Sequence, residues 1–151
     1  MESKSLNSKP MPATGAAPVR ALLGAPAPMT APFPGPLLER LRQLFDRAVA
    51  AVAGACAVDG KLDAVRLDRY QLASYEIALA SADLLATETL LAAGDDLNAL
   101  DRGLALLFLA DAVGSVLTRL EVVFLETGLD LGQLHALAVS GDLADFRRAA
   151  A

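Results

Sequence analysis

The feature that most limits the fold is an uninterrupted run from Leu62 to Ala93, LDAVRLDRYQLASYEIALASADLLATETLLAA, which contains neither glycine nor proline. It is rich in alanine and leucine, and both are strong helix formers. Asp63 stands at its start, where a side-chain oxygen can accept a hydrogen bond from a free backbone N–H. Gly94 follows its end, where glycine can take the left-handed conformation that terminates helices. The run therefore predicts one long helix against which the other segments pack.

The start of the chain has a different composition. All eight prolines lie within residues 1–36, together with serine, alanine and glycine. Proline fixes φ and removes a backbone donor, which excludes regular pairing. We therefore expect a disordered leader over residues 1–36 and a helical bundle over residues 37–151. Within the leader, Val19–Leu23 (VRALL) is either a passing apolar cluster or a short helical turn that docks on a partner.

Composition and charge limit the class of protein. Of the 151 residues, 54% are hydrophobic and only 5% are aromatic, which is typical of a single helical domain built from alanine and leucine. Residues 1–35 carry three basic residues and one acidic residue, a net charge of +2, so the remainder carries −7 of the total of −5. An acidic domain repels the phosphates of nucleic acid, and we expect no nucleic-acid partner.

Three features of the sequence indicate the cellular location. The lone cysteine, Cys56, lies in an apolar run and cannot form an internal disulfide, which fits a reducing compartment. The first ten residues, MESKSLNSKP, lack the apolar core of a signal peptide. The most apolar region, at 103–125, is interrupted by Asp111, Arg119 and Glu121, whereas a membrane span needs about twenty residues with almost no charge. We expect a cytoplasmic protein without a transmembrane segment.

A first long helix is predicted to begin near Pro36 or Leu37, because proline suits the first helical position. Apolar residues then recur at intervals of three and four and form one arc that must be buried: Leu37, Leu38, Leu41, Leu44, Phe45, Ala48, Val49 and Val52. Beyond Arg47 the residues on the opposite face are also small, so we expect another helix or a second chain to cover that face. Its residues are Ala50, Ala53, Gly54 and Ala57. Asp59-Gly60 tolerates positive φ and predicts a turn.

The long run from Leu62 to Ala93 has apolar residues on two sides, with one more polar row between them. This row is either the solvated side of a bundle helix or a docking row for a partner. In the second interpretation, Ala73 and Ala80 let a partner approach closely while Glu76 and Asp83 pair with its basic groups. The full row is Arg69, Ala73, Glu76, Ala80, Asp83 and Thr87.

A third long helix is predicted from Asp101, as its cap, to Thr127, with Gly128 ending it. It is apolar around most of its circumference, which indicates central burial. Residues 130–151 predict two short helices, the last of them capped by Ser140 or Asp142. The only histidine, His135, cannot supply the paired Glu-x-x-His ligands of metal-binding bundles, so we expect no metal site.

Asp111 is the unusual residue of the third helix, since its neighbours on the same side are largely apolar. A buried, unpaired carboxylate is costly. We therefore expect Asp111 to pair with an arginine, to bond to a hydroxyl such as that of Ser115, or to face a wet interface with a ligand or partner. Gly114 and Ser115 beside it would permit close helix contact.

Several short stretches together resemble a known family. They are DGKLD at 59–63, LDRYQLA at 67–73, ALA at 78–80 and the Leu90–Leu91 pair. The region 37–131 resembles the helical domains of the acyl-CoA dehydrogenase superfamily, and in particular is similar to the helical extension that precedes the body of methylsuccinyl-CoA dehydrogenase-like members. The resemblance implies flavoproteins that oxidise acyl-CoA thioesters with bound FAD and a carboxylate base, and that assemble through helical domains. No catalytic residue of that family can be matched to a position here.

The sequence thus predicts an all-α, antiparallel bundle of three long helices with short C-terminal helices. No phosphate-binding glycine motif or zinc-spaced cysteine cluster is present. We expect a non-catalytic accessory or assembly module that binds a protein partner or further copies of itself. It would bind no cofactor alone, and FAD would enter only through an acyl-CoA dehydrogenase-like partner. The alternative is a phasin-like or lipid-facing protein that coats an apolar surface.

Overall fold

The computed structural model describes residues 34–150, which form an antiparallel bundle of three long helices. In chain order, the elements are α1 (Gly35–Cys56), β1 (Ala57–Val58), β2 (Lys61–Leu62), α2 (Ala64–Arg69), α3 (Gln71–Ala93), α4 (Ala99–Thr127), α5 (Gly132–Ala138) and α6 (Gly141–Ala150). The predicted all-α bundle with short C-terminal helices is confirmed. Residues 1–33, which include most of the predicted leader and its Val19–Leu23 segment, lie outside the described residues.

Helix α1 begins where proline chemistry predicts. Pro36 occupies its first turn, and the backbone N–H of Leu38 donates to the carbonyl of Pro34 at 3.0 Å. The predicted apolar arc faces the core, although Val49 at its edge is 37% exposed. The buried members are Leu37, Leu38, Leu41, Leu44, Phe45, Ala48 and Val52.

The predicted turn at Asp59-Gly60 is confirmed, and it closes a two-stranded hairpin. Both residues have positive φ, 49° and 74°, which matches the twist of the paired strands. Ala57 lies opposite Leu62 in an antiparallel pair. The hairpin reverses the chain, so that α2 and α3 return alongside α1.

The run Leu62–Ala93 is not one helix, which corrects the sequence prediction. Asp63 does cap a helix, accepting from the backbone N–H of Arg66 at 2.9 Å, but that helix is the short α2. Tyr70, with φ −100° and ψ 26°, separates α2 from α3. Helix α2 buries none of its side chains, so no packing holds it in line with α3. Gly94 also differs, since its φ of −59° continues right-handed into a 3₁₀ turn over Gly94–Asp96.

Helix α4 is capped by Asn98 rather than by Asp101. The Asn98 side chain accepts from the backbone N–H groups of Leu100 and Asp101, both at 3.0 Å, and Asp101 lies in the first turn. The predicted end is confirmed, because Gly128 adopts the left-handed conformation with φ 71°. Central burial is also confirmed by a continuous row of buried residues: Ala105, Leu106, Leu109, Ala112, Val113, Val116, Leu117, Leu120, Val123 and Phe124.

By length and composition alone, α4 could cross a membrane, and it is the one helix among residues 34–150 that passes this test. Its position in the fold explains that composition, since 44% of its most apolar 18-residue window is buried inside the bundle. A core helix needs the same apolar character as a membrane span. No transmembrane segment is therefore indicated within the described part of the chain.

The core lies between α1, α3 and α4, and α5 and α6 pack back along α1 and α4. Leu41, Leu84 and Leu120 are fully buried where the three long helices meet. The two short helices were predicted, and Ser140 caps α6 by accepting from the N–H of Leu143 at 3.3 Å. Cys56 is 1% exposed at the end of α1, as its apolar setting predicts.

Candidate interaction surface

From Ala73 to Thr87 the more polar row faces α4 rather than solvent, so the interpretation as a solvated side is wrong there. Its first member, Arg69, is exposed on α2. Ala73 and Ala80 are fully buried, and Thr87 is 1% exposed with its hydroxyl donating to the carbonyl of Leu84 at 2.7 Å. Small side chains allow two helices to approach closely, and here α4 of the same chain occupies that space. Ala73 and Ala80 therefore have no surface left for the partner contact that was predicted for them.

A polar network crosses the α3–α4 contact at the edge of the core. Arg119 on α4 donates from Nη1 to Oε2 of Glu76 at 2.8 Å, and its Nε lies 3.6 Å from Oδ2 of Asp83. Ser115 donates from Oγ to the same Asp83 oxygen at 2.8 Å. The side chains of Arg119, Glu76 and Asp83 are 29%, 17% and 31% exposed. Arg119 thus provides, from within the chain, the basic group that Glu76 and Asp83 were expected to find on a partner.

The electrostatics of this network favour a permanently charged arginine. The hydrogen bond to Glu76 raises the pKa of Arg119 above its ordinary value, and the nearby charges of Glu76 and Asp83 add to this effect. Partial burial of the guanidinium acts in the opposite direction and is outweighed. Arg119 therefore stays charged near neutral pH and acts as a fixed cation between the two helices.

A groove of about 690 Å³ lies over the outer side of α4, between α3 and α6. Its floor is formed mainly by small and polar residues of α4, including Asp111, Gly114 and Ser115. Arg147 of α6 leans over the floor, and its Nη2 would lie 3.5 Å from a Cβ placed on Gly114. The groove is open to solvent along the helix.

Asp111 is exposed in this groove. The reason is that α3 covers the neighbouring flank of α4, where Ser115 bonds to Asp83, and no helix of the described chain covers Asp111 itself. Within residues 34–150, neither Asp111 nor Arg147 makes a hydrogen bond or ion pair. Among the described residues, neither of the two bonded alternatives predicted for Asp111 is present, and the third, a wet interface with a ligand or partner, stays a prediction.

An apolar depression of about 510 Å³ lies further along the same side of the molecule. Leu85 is 64% exposed there, and Phe108 is 41% exposed. One turn away on α4, Leu104 and Leu107 are 56% and 51% exposed. We call this side the α3–α4 outer face and define it by Leu85 of α3 and by Leu104, Leu107 and Phe108 of α4.

The small face of α1 is open. Ala50, Ala53 and Gly54 are exposed, and a Cβ placed on Gly54 would meet nothing within 4 Å. No other helix of residues 34–150 covers this face, so the first of the two predicted coverings is wrong. The second, another chain, stays a prediction.

Side chains that could perform chemistry lie apart from one another. No group of three or more His, Cys, Asp or Glu residues in the described part of the chain is placed to hold a metal ion. His135 is exposed, with its Nε2 3.5 Å from Oε1 of Glu121. Cys56 is buried at the other end of α1 from the short helices. These positions do not assemble a nucleophile with a base.

Sequence reasoning missed Arg119 and Arg147 as members of the surface. Arg119 could have been found, because it stands four residues after Ser115 in an otherwise apolar helix while Glu76 and Asp83 share one face of α3. Arg147 carries no such signal, since its place over Gly114 depends on how α6 folds back.

No protein-family model matches this chain, and no curated protein is similar enough to be matched to it. The resemblance to the helical domains of acyl-CoA dehydrogenases therefore stays a prediction.

Proposed function

We propose that this chain is a non-catalytic helical module that binds another protein through the α3–α4 outer face. The observation that supports this most is the exposure of large apolar side chains that line one depression between α3 and α4, with Leu85 at 64% and Phe108 at 41%. Monomeric soluble proteins rarely expose large contiguous apolar patches, and such patches commonly mark interaction sites.

The charges on this side are arranged in a way that suits burial. Glu76 and Asp83 already share Arg119, so a partner can cover them without leaving a newly unpaired charge. An apolar surface with internally paired charges is typical of the centre of a protein interface, where unpaired charged residues are depleted. Asp111 and Arg147, which have no such pairing, lie beside it as candidates for polar contacts with the partner.

A more specific proposal follows from the resemblance described above. The partner would be a cytoplasmic flavoprotein of the acyl-CoA dehydrogenase type, which would carry the FAD and the catalytic carboxylate. This chain would contribute helices to the assembly and no reacting group.

The test uses full-length protein with one charge placed on the face, Leu85→Glu. Its matched control is Val139→Glu, because Val139 is 82% exposed after α5 and lies away from α3 and α4. We expect the wild type and the control to bind a hydrophobic dye and to retain a partner from native extract, and the face variant to lose both. A retained partner with a flavin absorbance would support the more specific proposal.

Equal dye binding and equal retention by Leu85→Glu and the control would contradict this function. Flotation with neutral liposomes addresses the alternative of a lipid-facing coat. Co-flotation of the wild type and the control, lost in Leu85→Glu, would replace the protein-binding proposal with the lipid-facing one.

A further inference from the structure

The solvent-facing strip of α4 has a symmetric arrangement of side chains. Large apolar residues occupy both of its ends, and small or polar residues occupy its middle. Apart from the adjacent central pair Gly114 and Ser115, the positions are spaced by three and four residues, so they follow one stripe along the helix. In order, they are Leu104, Leu107, Asp111, Gly114, Ser115, Thr118, Val122 and Leu125.

The strip is nearly palindromic about a point between Gly114 and Ser115. Leu104 and Leu125 lie equally far from that point, at 56% and 64% exposure. Leu107 and Val122 form the next equidistant pair, and Asp111 and Thr118 the one inside it. A two-fold symmetric contact requires a self-complementary surface, in which residue i meets residue j and residue j meets residue i.

We propose that a second copy of this chain docks on this strip, with the two α4 helices antiparallel and crossing at Gly114 and Ser115. Leu104 of one copy then packs near Leu125 of the other, and Leu107 near Val122. The residues at the crossing are small, which lets two helices approach once the exposed Arg147 side chain turns away from Gly114. This proposal rests on the proposed function. It identifies the partner that binds at α4 as a second copy of the chain.

Charge supports the same arrangement. Asp111 and Arg147 both border the groove and have no partner within residues 34–150. Each copy offers one unpaired carboxylate and one unpaired guanidinium. In the proposed register Asp111 lies opposite Thr118 of the other copy, so Arg147, which lies over Gly114, would turn toward that carboxylate, and the two-fold symmetry repeats the pair. Charge-assisted pairs that a contact partly desolvates fix its orientation.

The available area is that of a small stable dimer. From Leu104 to Leu125 the strip is about 30 Å long, since an α-helix rises about 1.5 Å per residue. With α3 beside it, the face is two helices or about 20 Å wide, which gives roughly 600 Å² per copy. Specific interfaces bury about 800 Å² per partner, with roughly 600 Å² at the lower end.

The first measurement is sedimentation of the full chain across micromolar concentrations. We expect a dimer for the wild type, and for Leu107→Glu a dissociation constant raised by at least about 100-fold, because the glutamate would be buried without a partner. Val139→Glu, outside the strip, should dimerise as the wild type does. A monomeric wild type would overturn the proposal, as would a dimer that Leu107→Glu leaves intact.

The second measurement tests the antiparallel register. Asp111→Cys and Thr118→Cys are made separately, and Cys56 stays in place because it is buried. On oxidation, a mixture of the two variants should form the mixed disulfide dimer, and each variant alone should form little. In the proposed register the same position in the two copies is offset by seven residues, or about 10 Å along the helix, which is too far for a disulfide. Crosslinking of Asp111→Cys alone, or none in the mixture, would overturn the register.

Failure here is distinguishable from failure of the proposed function. If the wild type is monomeric but retains a partner protein that Leu85→Glu loses, the dimer proposal is wrong and the proposed function as an interaction module stands. If the wild type is dimeric by the predicted register and retains no other protein, the partner proposed here stands and the flavoprotein does not.

Discussion

Arg119 and Glu76 join the two longest helices of the bundle through a 2.8 Å hydrogen bond between Nη1 and Oε2. Asp83 lies two turns further along α3 and approaches the same guanidinium at 3.6 Å. One arginine therefore neutralises part of two carboxylates, and the register of α3 against α4 is tied to its position.

Replacing Arg119 by methionine should lower the free energy of unfolding. The change keeps much of the apolar stem and removes the charge, so Glu76 loses its hydrogen-bond donor and both carboxylates lose their shared counter-charge. The double variant Arg119→Met with Glu76→Gln should recover part of the loss. Urea unfolding of the wild type, both single variants and the double variant measures this coupling, and strict additivity would contradict it.

The contribution of Arg119 should not depend on pH near neutrality. Its pKa is raised above an already basic ordinary value by the bond to Glu76, so the stability it adds is fully present below the ordinary value. That stability is lost only as the pH rises through the higher, folded-state value. The stability difference between the wild type and Arg119→Met should therefore be equal at about pH 6 and about pH 9, as measured by urea unfolding at both values.

Ala80→Leu should destabilise the protein by about 1–3 kcal/mol, because the larger side chain would separate α3 from α4 at a position with no exposed surface. Ala82→Leu is the matched control, since Ala82 is exposed two residues away on the same helix. The control should change stability by no more than about 0.5 kcal/mol. Thermal and urea unfolding give both values, and an equal effect of the two variants would argue against the close packing.

Asn98→Ala should cost about 1 kcal/mol, because the Asn98 side chain accepts from two backbone N–H groups at the start of α4. Asp101→Ala should cost less, roughly 0.3–1 kcal/mol, since Asp101 contributes a favourable first-turn charge and accepts from the Asn98 side chain. Chemical denaturation of both variants decides between the two caps. A larger loss of stability for Asp101→Ala than for Asn98→Ala would support Asp101 as the cap, as the sequence predicted.

The ends of helices and the chain reversal were predictable where they depend on local chemistry. Pro36 near the start of α1, Gly128 after α4 and the Asp59-Gly60 turn each act through their own backbone preferences. The break at Tyr70 was not predictable in this way. The break accompanies the position of α2 outside the core. No helix preference of a residue within the run indicates that position.

The candidate surface was only partly predictable, because apolar character on several sides of a helix does not say which side is covered. Helix α3 has leucines or tyrosines on its outer side, whereas two of its alanines, Ala73 and Ala80, lie buried against α4. Likewise, the largely apolar residues on the side of Asp111 do not reveal that the described helices leave that side exposed. Glu76 and Asp83 were singled out correctly as ion-pair formers, and the partner proved to be within the chain.

Cys56 provides an internal reporter of motion at the hairpin end of the bundle. Its thiol is 1% exposed, and its Sγ lies 3.9 Å from the carbonyl of Arg66, so a thiol reagent can reach it only when the end of α1 separates from α2. As the chain has a single cysteine, the rate of labelling measures that opening without any engineered probe. Comparing this rate with global unfolding would show whether the hairpin end frays independently of the α3–α4 pair.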